Sequence, residues 1–138
     1  MTAFTLNPKV LDKIRNAPVP TVEQVRAARV AVANSPRHGG DRRGSSTSRR
    51  RRTEKLLHEF GDGTTCPCSY CHVALTAETL TQDKIYTTNE GGGYRYENLI
   101  PACMDCNRRR LDTAIWEIVS EVVVAAEAIT VEAITVAA

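Results

Sequence analysis

Two cysteine pairs decide how this chain folds: Cys68-Ser-Tyr-Cys71 and Cys103-Met-Asp-Cys106. Each has the Cys-x-x-Cys spacing of a zinc knuckle, in which a tight turn presents two thiolates to one metal ion. Zinc takes four tetrahedral ligands, so two knuckles complete a closed site of the structural kind. One pair alone could be a redox motif, whereas two pairs favour metal binding. The sequence therefore predicts one structural zinc ion held by Cys68, Cys71, Cys103 and Cys106.

The fifth cysteine, Cys66, lies just before the first knuckle. It could replace Cys68 as a ligand, but the loop to Cys71 would then be wider than a knuckle. We interpret it as a free thiol. The first 30 residues show no secretory signal, so we expect the cysteines to bind metal in a reducing compartment rather than form disulfides.

Charge is distributed unevenly along the 138 residues. All 18 Lys and Arg lie in residues 1–110, whereas residues 111–138 carry five acids and no base. A basic body favours a polyanionic partner such as nucleic acid, although charge can also serve solubility alone. The most apolar stretch, residues 115–136, contains four glutamates, so no membrane span is expected.

The composition divides the chain into four parts. Residues 1–33 are predicted to be an N-terminal helical segment, because Thr21 and Gln24 have the spacing of a capping box. Residues 34–53, rich in Gly, Ser and Arg, are predicted to be a basic flexible linker. Residues 54–110 form the metal-binding domain. Residues 111–138 show helical spacing and are predicted to be a C-terminal helical segment, for which packing on the N-terminal helix or on another subunit is expected.

The linker ends in the run Arg49-Arg50-Arg51-Arg52. Arginine pairs readily with phosphate, so these four residues are candidates for nucleic-acid binding. The alternative is a solvated run with no ligand. The segment that follows the arginine run favours nucleic-acid binding.

Between and around the knuckles, the order of motifs resembles a known family. The chain reads Thr81-Gln-Asp83-Lys84-Ile85, a Gly91-Gly92-Gly93 turn, then Asn98-Leu-Ile-Pro-Ala-Cys103-Met-Asp-Cys106-Asn107-Arg108-Arg109-Arg110. From Arg51 to Arg110 it is similar to the zinc-knuckle HNH endonucleases of bacteria and their phages. Residues 51–65 resemble members from actinobacteriophages. The likeness covers less than half of the chain.

This resemblance implies an α+β fold: a small zinc-stabilised ββα-metal (HNH, His-Me finger) domain with flanking helices. It implies that Asp83 and Asn107 hold a catalytic divalent cation and that Asn98 braces the loop. Oxygen ligands of this kind suit Mg²⁺ or Mn²⁺, which polarise the scissile phosphate. Arg108, Arg109 and Arg110 lie where family members contact phosphate.

One residue departs from the family pattern. The position after Asp83 usually holds His, the general base that activates water, and here it holds Lys84. An ammonium group has no lone pair to accept a proton, so Lys84 would act as a base only if its environment deprotonated it. Otherwise it would hold a phosphate as a cation. His58 and His72 are weaker candidates for a substitute base.

The resemblance implies a metal-dependent endonuclease that cleaves or nicks DNA, encoded by a phage and acting in the cytoplasm of its bacterial host. A zinc-built DNA-binding module without catalysis is the main alternative. A phage accessory factor is the third possibility, in which residues 111–138 would contact a protein partner or a second copy of the chain.

Overall fold

The protein is described by a computed structural model that covers residues 6–34, 44–111 and 113–118. Four α-helices and four short strands follow one another: α1 Pro8–Asn16, α2 Val22–Asn34, α3 Ser46–Phe60, β1 Cys66–Pro67, β2 Ala74–Leu75, β3 Thr81–Lys84, β4 Leu99–Ala102 and α4 Met104–Arg110. Two single-turn 3₁₀ helices, Thr88–Glu90 and Tyr96–Asn98, lie between β3 and β4. None of the described helices has the length and apolarity needed to cross a lipid bilayer.

A ββα unit forms the centre of the fold. Strands β3 and β4 pair antiparallel, with Asp83 opposite Ile100, and α4 follows directly after β4. Strands β1 and β2 form a second antiparallel hairpin, whose turn carries the first cysteine pair. The predicted fold class is confirmed: an α+β architecture with a small ββα unit, flanking helices and a cysteine cluster able to bind zinc.

The core lies where α1 and α3 cover the two hairpins. Apolar residues at helical spacing, Val10 and Ile14 on α1 and Leu56 on α3, are fully buried. Strand β4 contributes Leu99 and Ile100, which are buried as well. Because the strands are short, they bury their apolar side chains only against these helices.

Helix α3 begins inside the segment that the sequence assigns to a linker. Ser45 caps the helix by accepting a hydrogen bond from the backbone N–H of Ser48 at 3.1 Å. Residues 46–53 are therefore helical, and the predicted linker 34–53 is wrong for them. The reason is tertiary: the Gln82 side chain on β3 donates to the Arg49 carbonyl at 2.9 Å and to the Thr53 hydroxyl at 3.0 Å. These contacts fix the arginine run against the sheet.

The N-terminal segment contains two helices. The capping box at the start of α2 is confirmed: Gln24 N–H donates to Thr21 Oγ1 at 3.1 Å, and Thr21 N–H donates to Gln24 Oε1 at 2.8 Å. Helix α1 has its own signals, Asn7 as N-cap and Pro8 at the first helical position. Helix α2 buries none of its side chains and contacts the turn Thr88–Glu90.

The C-terminal segment is described only in part. Residues 115–118 are helical, and Ile115 and Ile118 are buried in the core, in agreement with the predicted helical spacing. Residues 119–138, on which the expectation of self-association or a protein partner rests, lie outside the described part of the chain.

Candidate functional site

The four knuckle cysteines come together in one cluster. The sulfur atoms of Cys68, Cys71, Cys103 and Cys106 all lie within 4.8 Å of one another. Four thiolates around a tetrahedral zinc with Zn–S bonds of about 2.3 Å would lie about 3.8 Å apart. The Cys71 and Cys103 sulfurs are separated by 3.8 Å. The cluster therefore has the ligand type, number and spacing that a zinc ion needs.

Backbone groups are aimed at the sulfurs. The N–H of Cys103 donates to Cys68 Sγ at 3.3 Å, and the N–H of Cys106 donates to Cys103 Sγ at 3.4 Å. Such donors stabilise thiolates, the form that binds metal. Without metal, burial raises the pKa of Cys106 to about 12 and also raises that of Cys68. Metal binding must therefore displace protons from these thiols.

Cys66 lies outside the cluster. It is buried in β1, paired with Leu75 across the hairpin, and burial raises the pKa of its thiol to about 11. A protonated, buried thiol behaves as a small apolar side chain. This position agrees with the interpretation of Cys66 as a free thiol.

Asp83 is buried between β3 and α4, where it forms an ion pair. Its Oδ2 accepts a hydrogen bond from Nη1 of Arg110 at 2.8 Å and another from the hydroxyl of Tyr70. Burial and the charge of Asp83 raise the pKa of Tyr70 well above its usual value, so its hydroxyl remains a donor. The other carboxylate oxygen, Oδ1, accepts no hydrogen bond from any described residue.

Arg110 is an interior residue, with only 1% of its surface exposed. Besides Asp83, its guanidinium donates to the carbonyls of Lys84, of Ile85 at 2.8 Å and of Thr113 at 3.1 Å. The prediction that Arg110 contacts phosphate is therefore wrong, because its donors already serve the interior of the domain.

The sequence did not identify Tyr70 and Arg110 as partners of Asp83. Only their positions in the chain distinguish these two residues. Tyr70 lies inside the first knuckle, and Arg110 lies one turn after the second. A metal that joins the two knuckles brings the residues near them together. That constraint is the one signal that could have indicated the contact.

Asn107 and Asn98 take different positions. Asn107 is half-buried on α4, and its Nδ2 donates to Thr81 Oγ1 at 3.0 Å. Asn98 is buried: its Oδ1 accepts from the Tyr86 N–H at 2.9 Å, and its Nδ2 donates to the carbonyls of Tyr86 at 3.1 Å and Gly93 at 2.9 Å. Asn98 thus ties both sides of the loop between β3 and β4.

The same loop needs its glycines. A Cβ on Gly92 would lie 1.8 Å from the Tyr86 carbonyl oxygen, which leaves no room for a side chain. Gly91 has a φ of 87°, a conformation that glycine adopts without strain. Gly91 and Gly92 therefore let the loop approach the backbone of Tyr86, which Asn98 also binds.

Lys84 extends to the opposite side of β3 from Asp83. Its Nζ lies 3.1 Å from Thr88 Oγ1 and 4.0 Å from the centre of the Tyr94 ring. Successive residues of a strand face opposite sides, which accounts for the separation. Of the two histidines considered as substitute bases, His58 lies at the end of α3 against Gly63, and His72 lies exposed beside the first knuckle.

The other predicted phosphate contacts occupy two surfaces. Arg108 and Arg109 are exposed on α4, and Arg109 Nη2 donates to Cys106 Sγ at 3.3 Å. On α3, Arg50 and Arg51 are exposed, whereas Arg49 and Arg52 are half-buried towards β3. The arginines are thus divided between the knuckle side and the α3 side of the sheet.

The ββα unit of β3, β4 and α4 meets the turn of the β1–β2 hairpin at the four-cysteine cluster. Residues 68–112 match the family model of the HNH endonucleases. At the level of the family, the match indicates a nuclease that acts on DNA. Comparison with curated proteins and with solved structures found no match.

Proposed function

We propose that the protein is a metal-dependent endonuclease that cleaves or nicks DNA. The observation that carries this proposal is the coincidence of the family match, residues 68–112, with the ββα unit and its cysteine cluster. In this proposal a structural zinc ion, held by the four cysteines, joins the β1–β2 hairpin to α4. Its role is to hold α4 against β3, where the candidate cation ligands lie.

Two residues at the β3–α4 contact offer oxygen ligands for the proposed second, divalent cation. Asp83 uses one carboxylate oxygen for Arg110 and Tyr70, which leaves Oδ1 for a metal. Asn107 uses its amide nitrogen for Thr81, which leaves its amide oxygen. One carboxylate oxygen and one amide oxygen are ligands that Mg²⁺ and Mn²⁺ accept. A bound cation would polarise the scissile phosphate.

Arg110 and Tyr70 then have a supporting role. Hydrogen bonds to the outer oxygen of a metal-binding carboxylate fix its orientation. The positive charge of Arg110 also opposes a cation nearby, so the affinity for the divalent ion should be modest. Arg108 and Arg109, which are exposed on α4, are proposed to contact the phosphates of the bound strand.

A second candidate function is DNA binding without cleavage. The observation that favours it is the position of Lys84, whose ammonium contacts Thr88 and Tyr94 on the far side of β3 from Asp83. A hydrolytic site needs a group that accepts a proton from water. Within the described part of the chain, neither His58 nor His72 forms a side-chain hydrogen bond with a residue of β3 or α4.

Incubation of supercoiled plasmid with the protein and added Mg²⁺ or Mn²⁺ distinguishes DNA cleavage from DNA binding without cleavage. We expect nicked or linear DNA from the wild type and at least about a hundredfold slower conversion by Asn107→Ala and Asp83→Asn, because the cation loses a ligand. Asp12→Asn, an exposed acid on α1, is the matched control. Zinc content and the melting curve of each variant show that it is folded. Intact plasmid under every metal, together with salt-sensitive DNA binding, would establish the binding module instead.

The biological setting belongs to the same proposal. The resemblance of residues 51–65 to actinobacteriophage proteins supports a phage origin and action in the host cytoplasm. The apolar residues 111–138 are proposed to contact a protein partner or a second copy of the chain. Removal of residues 119–138 would then change the mass in solution or abolish activity in the host while DNA cleavage in vitro persists. An unchanged mass and full activity would contradict this part.

A further inference from the structure

We propose that a groove along the outer side of helix α3 binds the phosphate backbone of one DNA strand, through Ser48, Arg51 and Lys55. The inference rests on the proposed function in taking DNA as the ligand. It adds a binding surface that helix α3 separates from the candidate cation site. The groove therefore contributes affinity for DNA and takes no part in the cleavage step.

The first observation is a row of polar side chains along one side of α3. The helix borders a groove of about 870 Å³ that Tyr96 closes on its other side. Four of the lining residues recur at intervals of three and four positions, which places them on one side of a helix: Ser48, Arg51, Lys55 and His58. The buried residues Leu56, Leu57 and Phe60 lie on the opposite side, where they anchor α3 in the core.

The second observation is that α3 contacts the sheet with a different side. Gln82 on β3 donates a hydrogen bond to the Thr53 hydroxyl at 3.0 Å. Thr53 is two residues from both Arg51 and Lys55, which places it about 160° from each around the helix axis. The groove therefore lies on the far side of α3 from strand β3, which carries Asp83.

The third observation is that two cations in the groove have no acidic partner. Arg51 and Lys55 are exposed, and neither forms an ion pair within the described residues. The contact that Lys55 makes is with a neutral group, the Tyr96 ring, whose centre lies 4.6 Å from Nζ. The site does not require Arg52, whose Nε already donates to Gln82 on β3. Arg51 and Lys55 can therefore both bind an anion.

Two acids also line the groove, Glu54 and Glu59. Glu59 is compensated, because it forms an ion pair with Lys13 at 3.3 Å and accepts a hydrogen bond from Tyr96. Glu54 is therefore the lining acid that opposes the two uncompensated cations. The groove is positively charged on balance even without Arg52, which suits a polyanion.

The spacing of the donors favours a nucleic-acid backbone over an acidic peptide. Arg51 and Lys55 are separated by a rise of about 6 Å along the helix axis, and phosphates recur about every 3.4 Å along one DNA strand. The two cations can thus contact different phosphates of the same strand. The Ser48 hydroxyl accepts a hydrogen bond from Ser45, which leaves its own hydrogen for a third phosphate oxygen. Carboxylates on a peptide lack this regular spacing.

The test measures binding without cleavage. Fluorescence anisotropy of a labelled DNA duplex, with zinc-loaded protein and no added Mg²⁺ or Mn²⁺, gives the affinity at several salt concentrations. We expect Arg51→Gln and Lys55→Gln each to weaken binding about threefold to tenfold and to reduce the slope of log affinity against log salt by about 1. Ser48→Ala should weaken binding about twofold and leave the slope unchanged, because a neutral group displaces no counterion.

A second variant predicts a gain. Glu54→Gln removes the acid that opposes the two cations, so it should strengthen DNA binding about threefold. Loss of folding cannot mimic that result. The matched control is Arg29→Gln, which removes one exposed positive charge on α2, outside the groove. It should change the affinity by less than about twofold, and Lys55→Arg should retain the wild-type affinity.

The outcomes separate this site from the proposed nuclease. If the Arg51 and Lys55 variants bind DNA like Arg29→Gln while retaining zinc and their melting curves, the site is refuted. It is also refuted if these variants lose affinity for polyglutamate but bind DNA normally, since the groove would then take an acidic protein. A wild type that never cleaves, with weakened binding in the variants, keeps the site and refutes the nuclease. Cleavage with unaffected binding in the variants does the reverse.

Discussion

The two faces of strand β3 differ in what their polar side chains do. On the α4 face, Asp83 is 6% exposed and forms an ion pair with Arg110, which is 1% exposed. On the α3 face, Lys84 is half-exposed and contacts a tyrosine ring and a hydroxyl. Adjacent residues in the sequence thus occupy a buried, charge-compensated environment and an open, cationic one.

This difference separates stability from binding. A buried charge that loses its partner is costly, because neither water nor another charge replaces it. A half-exposed cation that loses its contacts remains solvated, so the fold is hardly affected. We therefore expect substitutions on the α4 face to change the free energy of unfolding. Substitutions on the α3 face should instead change the affinity for DNA.

Loss of metal binding at the four-cysteine cluster should have the largest effect, because a zinc ion held there would fix α4 and with it the whole buried face. Structural zinc contributes on the order of 10 kcal/mol to the folding of small domains. We expect Cys106→Ser to abolish metal binding and the melting transition. Because burial raises the pKa of the metal-free Cys106 thiol to about 12, zinc affinity should rise as pH rises.

Cys66→Ser is the matched control, since both cysteines are buried and only Cys106 belongs to the cluster. Titration with Co²⁺, whose thiolate absorption reports the ligands, and circular dichroism measure the outcome. If Cys66→Ser loses the metal as Cys106→Ser does, the ligand assignment is wrong.

Breaking the buried ion pair should have the next largest effect. Arg110→Met leaves Asp83 buried without its cation and should lower the free energy of unfolding by about 3–5 kcal/mol. Arg108→Met, two residues earlier and exposed, should stay within about 0.5 kcal/mol. Urea unfolding in the presence of excess zinc gives both values. If Arg110→Met and Arg108→Met lower the free energy of unfolding equally, the buried ion pair contributes no more to stability than an exposed arginine does.

A substitution in the loop that joins β3 and β4 should lower the free energy of unfolding by an intermediate amount. Asn98→Ala leaves the N–H of Tyr86 and the carbonyls of Tyr86 and Gly93 without their partner, which should cost about 2–3 kcal/mol. Asn89→Ala, exposed in the same loop, should be close to neutral. The same urea measurement applies, and a neutral Asn98→Ala would contradict the bracing role.

The smallest effect on stability is expected on the α3 face. Lys84→Gln should change the free energy of unfolding by less than about 0.5 kcal/mol, because the ammonium is half-exposed. Gln82→Ala should cost about 1 kcal/mol, since it removes the hydrogen bonds that join β3 to α3. If Lys84→Gln lowers the free energy of unfolding by several kcal/mol, the proposed difference between the two faces of β3 is contradicted.

The cysteine cluster could be predicted from the chain because its ligands are encoded locally. Each knuckle places two thiols within four residues, and the tetrahedral preference of zinc then requires the two knuckles to meet. The capping box of α2 was predictable for the same reason, because the side chains of Thr21 and Gln24 each accept a hydrogen bond from the other residue's backbone N–H. Interactions within one turn need no knowledge of the rest of the fold.

Other features depended on contacts between distant segments. The arginine run resembles a linker by composition, yet Gln82, about 30 positions later, holds it in helix α3. Arg110 shares the charge of Arg108 and Arg109, and its residue type does not indicate that it would be buried. Its interior position arises because α4 crosses β3 beside Asp83.

The sequence by itself determined the set of four clustered cysteines, the order of motifs that indicates an HNH unit, and the capping box of α2, because each depends on short spacings. Only the tertiary structure decided which of the charged residues face inward. The side of the sheet that a residue faces follows from strand pairing and helix docking. Those long-range contacts place Asp83 with Arg110 in the interior and Lys84 with Arg52 at the surface.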